Sequence, residues 1–440
     1  MRRIAIEAPR FIPPFNEPAR QVTLQSRPLW LHQRELFAPY IESEIEYPNW
    51  EIARQYESPN PTETIVHRDN LYFNAELIAE FVTRSKSVAR PVQLAFSADD
   101  RAIVDHVLPL STQLKKVGNL IMAEMWYLPN GIDQLAEAEP LVINTESRER
   151  GYYHIPPYSA STAGDLVYQL PKKAFVVIES WVHIFIADIL FGIFTYAANI
   201  EDKVNLDWKL KSSILWRALI EQKPFLSTSS LVKIGKNSNI HPTAQITGPA
   251  IIGDNVTIGA GVVIDACIIG DNVNISQGAQ LHISVVGNGS FLPFRASLFM
   301  TTVMERTMIA QNTCLQLCVV GRDSFIGAGS TFTDTSVLSA PMRALNGNDE
   351  LEEVPMRVIG GCVGHHCHLG SGMVIYPARI VESDVILIPS ENQHFIKKNV
   401  MFEESDHHAF GARFDHPQLY PRQEKPKETM PLPSLLPNRS

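Results

Sequence analysis

Three histidines stand close together late in the chain, in the run GCVGHHCHLG from Gly361 to Gly370. They are His365, His366 and His368. An imidazole titrates near neutral pH, so a group of them suits proton transfer by general acid or base catalysis. The same side chains are common ligands of transition metals. A third interpretation, surface or interface histidines without chemistry, stays open beside these two.

A six-residue repeat decides where these histidines lie. Isoleucines recur at every sixth position from Ile234 to Ile264. This period matches neither a helix nor an amphipathic strand. It is typical of a triangular parallel β-helix, in which each anchor residue points into a shared interior.

The register of the repeat predicts the orientation of the histidines. From Ile251 the hexads group into coils of 17 residues with three columns of aliphatic anchors. His365 and His366 then fall at the turn after Val363, and His368 projects outward beside its strand anchor. All three are therefore expected on the outside of the β-helix, close to one corner.

The repeat is interrupted after Val337. Residues 339–357 are polar and acidic and predict a loop that leaves the β-helix, and a loop of this length is often functional. A solvated insertion without a role is the alternative. The repeat resumes at Val363 and continues with anchors predicted at Ile380 and Ile386.

Composition limits the class of protein. The chain has 440 residues, 45% of them hydrophobic, and a formal net charge of −9, which allows two or three domains and does not suggest a nucleic-acid partner. Three of the five cysteines, Cys267, Cys318 and Cys367, occupy small inward positions, which favours packing over disulfide or metal roles and indicates a reducing compartment. The N-terminus lacks a signal-peptide pattern, so we expect a cytoplasmic protein.

The segment from Phe175 to Ala198 is the most apolar in the chain and is long enough to span a membrane. Glu179, His183 and Asp188 interrupt it, which argues against a span because charged groups are unfavourable in lipid. Glu179 and His183 would share a helix face, either as a metal or acid/base pair or as a hydrogen-bonded pair in a buried helix. With the apolar helix that follows, we expect a helical connector over 166–226 that covers the open end of the β-helix.

The remaining regions differ in pattern. Residues 1–165 alternate short apolar strands with helical runs, which predicts an α/β domain with a mainly parallel sheet. The β-helix is assigned to 231–400. Residues 401–440 are rich in proline and charge and predict a disordered tail.

This domain order resembles the sugar-nucleotidyltransferase and hexapeptide-repeat acyltransferase family, which includes bifunctional uridyltransferase/acetyltransferases of N-acetylglucosamine-1-phosphate. The stretch HPTAQITGPAIIGDNVTIGAGVVI, from His241 to Ile264, carries the resemblance. It implies a left-handed β-helix, a homotrimer with sites in grooves between subunits, and a sugar phosphate or nucleotide sugar as ligand, with acetyl-CoA or Mg²⁺ as possible cofactors. His365, His366 and His368 are then the candidate catalytic bases.

The N-terminal half departs from that family. Its glycine-rich phosphate loop is replaced by APRFIPPFNEPAR, from Ala8 to Arg20, and the first glycine of the chain is Gly118. Proline removes the N–H donors that phosphate binding needs, so nucleotidyl transfer is disfavoured even if the fold is kept. By resemblance, Asp69 and Asp99 match acids that follow strands and bind metal or substrate. Helix capping is the alternative for Asp99 and the adjacent Asp100.

Two further residues are candidate ligand contacts. His282 lies in an outward column of the β-helix, and Arg295 on the next coil could hold a phosphate. A trimer contact would explain the same pattern. A γ-class carbonic anhydrase would use three histidines on zinc, with His365 and His368 as the clustered pair and His282 as a distant third ligand.

The sequence thus predicts a hexapeptide-repeat, transferase-like protein that acts on or binds a sugar phosphate or nucleotide sugar, with acyl transfer favoured over nucleotidyl transfer. One alternative is a non-catalytic binding or scaffold protein with a degenerate nucleotidyltransferase domain. The other is a metal-dependent hydratase.

Overall fold

The structure is a computed structural model. It describes residues 1–57, 62–155, 164–336, 341–354, 356–391, 393–413 and 416–423, without the side chains of 152–155, 164, 165, 412 and 413.

The N-terminal region is built on a mixed sheet, which confirms the α/β prediction. In spatial order its main strands are Glu139–Val142, Val92–Ser97, Leu120–Leu128, Thr64–Arg68, Arg2–Ile6 and Ser43–Tyr47, and Lys115–Val117 pairs with the third of these. The long strand Leu120–Leu128 runs antiparallel to both of its neighbours in this order, whereas the other adjacent pairs are parallel.

Helices cover both faces of this sheet. On one face, Leu29–Phe37 and Ala75–Val88 pack on Ile65 and other apolar strand residues. On the other face, Trp50–Glu57 packs against Ile4 and its neighbours. Successive strand residues point to opposite faces, so a single strand supplies both cores.

Short two-stranded ribbons join these elements. They are Phe11–Ile12 with Glu17–Pro18, Thr23–Leu24 with Arg27–Pro28, Leu71–Phe73 with Phe175–Val177, Arg148–Ile155 with Gly164–Leu170, and Arg343–Leu345 with Leu351–Glu353.

The C-terminal half is a left-handed parallel β-helix of three eight-stranded sheets, as predicted. The first sheet contains Val232–Ile234, Ala250–Ile252, Ile268–Ile269, Val285–Val286, Thr302–Val303, Val319–Val320, Cys362–Val363 and Ile380–Val381. The second contains Asn239–Ile240, Thr257–Ile258, Asn274–Ile275, Phe291–Leu292, Met308–Ile309, Phe325–Ile326, His368–Leu369 and Ile386–Leu387. The third contains Gln245–Thr247, Val263–Asp265, Gln280–His282, Ser297–Phe299, Cys314–Gln316, Thr331–Phe332, Val374–Ile375 and Phe395–Ile396.

The predicted register holds through most coils and fails by one residue in the last. Val320 pairs with Val363, so Val363 takes the place predicted for Val337, which lies outside the described residues. Val363 in turn pairs with Val381, not with Ile380. A one-residue shift exchanges the two faces of a strand, so Ile380 faces outward. Ile386 also faces outward, because Leu387 pairs with the inward residue Leu369 and is itself the inward residue.

The interior of the β-helix is filled as the repeat predicts. Cys267, Cys318 and Cys367 are fully buried among the aliphatic anchors, and their thiols are free. These cysteines are packing residues.

The apolar segment forms one continuous helix, Trp181–Leu206, which is π-helical over Ile186–Phe194. We call it the connecting helix. It is the one helix of the described residues that is long and apolar enough to cross a membrane, and 83% of its most apolar window is buried inside the protein. A helix buried to that extent has the environment of a core helix.

The prediction placed the whole connector at the open end of the β-helix, but the first half of the connecting helix lies against a flat side instead. This half packs between the N-terminal core and the outer face of the first sheet, in one apolar cluster with Val319 and Cys362. Those outward positions are apolar, so the flat face needs a cover. The helix Trp208–Glu221 and the turn Phe225–Ser227 lie beside the first coil.

One buried carboxylate on the connecting helix joins three parts of the fold. Asp188 accepts hydrogen bonds from the Gln25 amide at 2.6 Å and from the Thr302 hydroxyl at 2.7 Å. Burial raises the pKa of Asp188 to about 6, although these two hydrogen bonds oppose the shift.

We expect Asp188→Asn to remove a pH dependence of stability while keeping both contacts, because the Thr302 hydroxyl can also accept from an amide. Asp188 has a folded pKa of about 6 and an unfolded pKa of about 3.9. The folded state therefore binds the proton more tightly than the unfolded state. The free energy of unfolding of the wild type falls by roughly 2–3 kcal/mol as the pH rises from 4 to 7.

Denaturant unfolding at pH 4.5 and pH 7 tests this expectation. The stability of Asp188→Asn relative to the wild type should rise with pH, and Asp99→Asn at an exposed site is the control. The same difference at both pH values would contradict the prediction.

Candidate functional site

The segment that follows the first strand, residues 8–21, docks on the β-helix. We call it the N-terminal loop. The backbone amide of Ser383 donates to the Pro14 carbonyl at 3.0 Å, and the Ser383 hydroxyl donates to the same oxygen at 2.9 Å. Asn16 donates to the Glu382 carboxylate at 2.9 Å. Polar groups of the loop are thus engaged by the last coil of the β-helix.

This docking buries His365, which the sequence placed on the outside. The ring is fully buried and packs on Phe15 and Tyr420, with ring centroids 4.9 and 4.7 Å away. Its Nδ1 accepts from the Arg322 amide at 3.0 Å, and its Nε2 lies 3.0 Å from Glu17 Oε1. Both ring nitrogens are engaged, so His365 is positioned for structure and not as a free base.

Charge in this contact is carried by Glu17 and Arg322. The guanidinium donates to both carboxylate oxygens, at 2.7 and 2.9 Å. Burial raises the pKa of Glu17, but the hydrogen bond from His365 and the charge and hydrogen bonds of Arg322 outweigh it and hold that pKa below its usual range. Burial lowers the pKa of His365 by more than Glu17 raises it. A neutral ring that accepts at Nδ1 and donates from Nε2 satisfies both ring nitrogens of His365.

His366 points the other way from the same corner. It and Asp384 occupy the same left-handed corner position of consecutive coils, with φ of 53° and 64°. Arg306 and Asp323 hold that position in earlier coils and form an ion pair at 2.6 Å. Stacking by the repeat therefore brings His366 Nδ1 within 2.9 Å of Asp384 Oδ1.

The C-terminal segment, which the structure describes over residues 402–413 and 416–423, completes this side of the corner. The ring of His416 stacks on His366 with centroids 4.3 Å apart, and it lies 5.5 Å from the His368 ring and 5.2 Å from the His407 ring. We call His366, His368, Asp384, His407 and His416 the histidine cluster. One nitrogen or oxygen each from His366, Asp384 and His416 could hold a metal ion, since these atoms lie within 4.8 Å of one another.

The predicted disordered tail is therefore wrong in its boundary. Residues 402–404 and 406–413 form 3-10 turns, and 416–423 pack on the last coils of the β-helix. Proline and charge do not prevent order here because specific contacts fix the chain, such as the Tyr420 amide on Asp384 Oδ2 at 2.7 Å. Residues 424–440 lie outside the described part.

Burial and neighbouring imidazoles favour the neutral form of two histidines in the cluster, His368 and His416. Burial first, and then the charges of His366, His368 and His407, lower the pKa of His416 to about 4. Burial and His366 lower the pKa of His368 as well. Neutral imidazoles have the lone pair that ligation or proton acceptance requires.

Three candidate residues stand apart from this cluster. His282 lies on the third sheet, with Nδ1 3.6 Å from Asp265 Oδ2. Arg295 is exposed at another corner, and Asp99 is exposed at the edge of the N-terminal sheet. Asp100, next to Asp99, accepts from both the amide and the hydroxyl of Thr145, which is a structural role.

A cleft lies at the carboxyl ends of the strands Arg2–Ile6 and Thr64–Arg68, where ligands bind in many α/β folds. Its walls are Ala8 to Pro13, Asn70, Thr112, Gln113, Ile178, Glu179, Gly347 and Asp349. Asp69 lies behind this wall: it accepts from the Ala8 amide at 2.7 Å, and burial raises its pKa to about 6.

Asn70 is the distinctive residue of the cleft. The residue is 1% exposed, and its side-chain amide group donates to Gln113 Oε1 and to the Ile178 carbonyl, both at 3.1 Å. Its Oδ1 is buried without a hydrogen-bond partner in the described part of the chain. A buried acceptor of this kind is unfavourable by about 1–3 kcal/mol until something donates to it.

The loop that leaves the β-helix closes the cleft. Its tip, Gly347, donates from the backbone to the Leu110 carbonyl at 3.1 Å and accepts from Arg10 Nη1 at 2.8 Å. A Cβ at this glycine would lie 2.7 Å from Thr112 Oγ1 and would also clash with the Glu179 carboxylate. The predicted loop is therefore a hairpin that docks on the N-terminal region.

Glu179 organises the opposite wall. Its carboxylate accepts from the Ser111 hydroxyl at 2.6 Å and from the Thr112 amide and hydroxyl at 3.0 and 2.6 Å. His183 accepts from the Glu179 backbone amide at 3.2 Å and lies 2.8 Å from the Pro109 carbonyl. Glu179 and His183 could have formed a metal or acid/base pair or a hydrogen-bonded pair in a buried helix. The structure shows the hydrogen-bonded pair, and the backbone of Glu179 makes the bond in place of its carboxylate.

Comparison with known proteins adds to this geometry. Residues 231–266 match the family described as bacterial transferase hexapeptide (six repeats). The matched stretch covers the first two coils of the β-helix. It supports a transferase-like protein with hexapeptide repeats and does not extend to the N-terminal region. No curated protein matches the chain.

Four residues were missed by sequence reasoning: Glu17, Asn70, Asp384 and His416. Asp384 had a signal, because the correct register of the last coil aligns it with His366. Asn70 directly follows a candidate acid and could have been included with it. Glu17 and His416 reach the corner only through long-range docking, for which the sequence contains no local pattern.

We expect Glu17→Gln to destabilise the protein by about 3 kcal/mol at pH 7, because it leaves a buried guanidinium without its charged partner. The folded pKa of Glu17 is depressed, so its contribution is present above the unfolded pKa of about 4.3 and is lost as the pH falls through the folded value. Unfolding curves from pH 7 to pH 3 should show the two proteins converging. The matched control is Glu35→Gln in an exposed ion pair, which should change stability by less than about 1 kcal/mol. A pH-independent loss would contradict this account.

Proposed function

We propose that this transferase-like protein binds a sugar phosphate or nucleotide sugar in the cleft at the carboxyl ends of the N-terminal strands. The observation that carries the proposal is Asn70, which lines the cleft and whose Oδ1 is a buried acceptor without a hydrogen-bond partner among the described residues. A ligand hydroxyl would satisfy it, and sugars are rich in hydroxyl donors. The ligand would then supply the hydrogen bond that the Asn70 acceptor lacks in the free protein, which favours the bound state.

The charge and polarity of the lining support this ligand class. Arg10 brings a guanidinium, whose planar donors suit phosphate oxygens. Gln113 and Asp349 add amide and carboxylate groups that can contact further hydroxyls. The Gly347 hairpin lines the same cleft, so the β-helix half contributes to the proposed site.

Acyl transfer is favoured over nucleotidyl transfer because the N-terminal loop lacks a phosphate cradle. Pro9, Pro13 and Pro14 have no N–H, and the amides of Ala8 and Phe11 donate to Asp69 and Gln423. A triphosphate would find few free backbone donors here. The proposal includes a cytoplasmic homotrimer, which the hexapeptide match and the free thiols support.

The direct test is ligand binding by Asn70→Ala. Purified protein is titrated with hexose 1-phosphates, UDP-sugars and acetyl-CoA, and a ligand at 100-fold its Kd should add about 2.7 kcal/mol of stability. Loss of the Asn70 acceptor should weaken a bound sugar ligand about 10-fold or more. Asn274→Ala, on the exposed face of the second sheet, is the control and should bind as the wild type does.

A second variant tests the hairpin wall. Gly347→Ala should push the hairpin away from Glu179 and weaken the same ligand, whereas Gly151→Ala, whose Cβ would lie 3.8 Å from the nearest atom, should not. Release of free CoA with a bound sugar phosphate would support acyl transfer. Binding without any turnover would favour the scaffold alternative, and absence of binding to every ligand would overturn the proposal.

A further inference from the structure

We infer that the histidine cluster binds one divalent transition-metal ion, with His366, Asp384 and His416 as ligands. One ligand atom from each residue already lies within 4.8 Å of the other two. Two imidazoles and one carboxylate form a ligand set that suits Zn²⁺ and neighbouring divalent ions. The site lies on the C-terminal side of the corner and is separate from the cleft of the N-terminal region.

The geometry needs only small adjustments. Ligand atoms on one tetrahedral zinc lie roughly 3.3 Å apart, given Zn–N bonds of about 2.0–2.1 Å. His366 Nδ1 and Asp384 Oδ1 are 2.9 Å apart, so a small rotation makes room for an ion between them. The His368 and His407 rings flank the site and offer a fourth ligand.

Charge supports a cation at this position. The Asp384 carboxylate is fully buried, and within the described residues its ion-pair partner is His366, with no lysine or arginine paired to it. A buried carboxylate is unfavourable unless a positive charge compensates it. The nearby Arg422 pairs instead with Glu382 and Glu403. A divalent ion would compensate Asp384 directly.

The origin of the ligands defines what the ion would do. His366 and Asp384 come from two consecutive coils, and His416 comes from the C-terminal segment. An ion would therefore fasten that segment to the β-helix beside Tyr420, whose amide donates to Asp384. Because three separate segments supply the ligands, binding requires the folded protein and stabilises it.

The test uses the full-length protein without a polyhistidine tag. After EDTA treatment and dialysis, titration calorimetry with ZnCl₂ should show one ion per chain, and Co²⁺ should give the visible absorption of a tetrahedral site. Three single variants test the ligands: Asp384→Asn, which keeps the shape of the side chain, His366→Ala and His416→Ala. Each should weaken zinc binding about 100-fold or more. Loss of a residue that merely supports a ligand already weakens metal binding 10–100-fold. The controls His282→Ala and His394→Ala should bind as the wild type does.

A second measurement remains decisive if a variant fails to fold. X-ray absorption of the zinc-loaded wild type should show at least two imidazoles with oxygen ligands and no thiolate, and zinc should slow proteolysis of the C-terminal segment. Absence of stoichiometric binding, a thiolate signal, or binding unchanged in the folded variants would each overturn the inference.

Discussion

Burial of the connecting helix between two cores is the constraint on which the rest of the structure depends. The outward residues of the first β-helix sheet, among them Val319 and Cys362, are as apolar as a core and join the N-terminal cluster through Trp181 and Phe185. Because an exposed apolar face of this size is unfavourable in water, the N-terminal region is held over one flat side of the β-helix. Asp188 adds directional contacts to both halves at the same place. This fixed arrangement lets the Gly347 hairpin reach the cleft and the N-terminal loop reach the last coils.

The docking of the N-terminal loop explains why the N-terminal region can keep an α/β fold and lose the chemistry associated with it. Residues after the first strand of such a sheet commonly present free backbone amides to a phosphate. Here the loop contacts Ser383, Glu382 and His365. Its remaining freedom is reduced further by proline. A segment that serves as an anchor between domains is not also available as a phosphate cradle, so any ligand must use the side chains around Asn70.

Local repetition could be read from the sequence, and long-range docking could not. Six-residue spacing predicted the β-helix, the inward cysteines and the departure of the 339–357 loop, because each depends on neighbouring coils only. The repeat alone does not distinguish Ile380 from Val381 as the anchor, because Ile and Val are equally good anchors and only the longer final coil selects Val381. His365 was placed outside because the fold of an isolated coil leaves it there. Its burial depends on Phe15 and Tyr420, which lie far away in the chain, and no periodic pattern encodes such a contact.

The end of the repeat is where the unusual residues collect, and the physics of a solenoid explains this. Each inner coil is covered by two neighbours, whereas a terminal coil leaves one set of strand edges open and needs a cap. The C-terminal segment supplies that cap: Ser405 accepts from the Ile386 amide at 2.8 Å, and Val400 bridges to Val381. The N-terminal loop covers the adjacent corner. Corner residues that would face solvent in an inner coil, such as His366 and Asp384, are thereby enclosed between segments. Capping, required for stability, also brings imidazoles and a buried carboxylate together in one polar cluster.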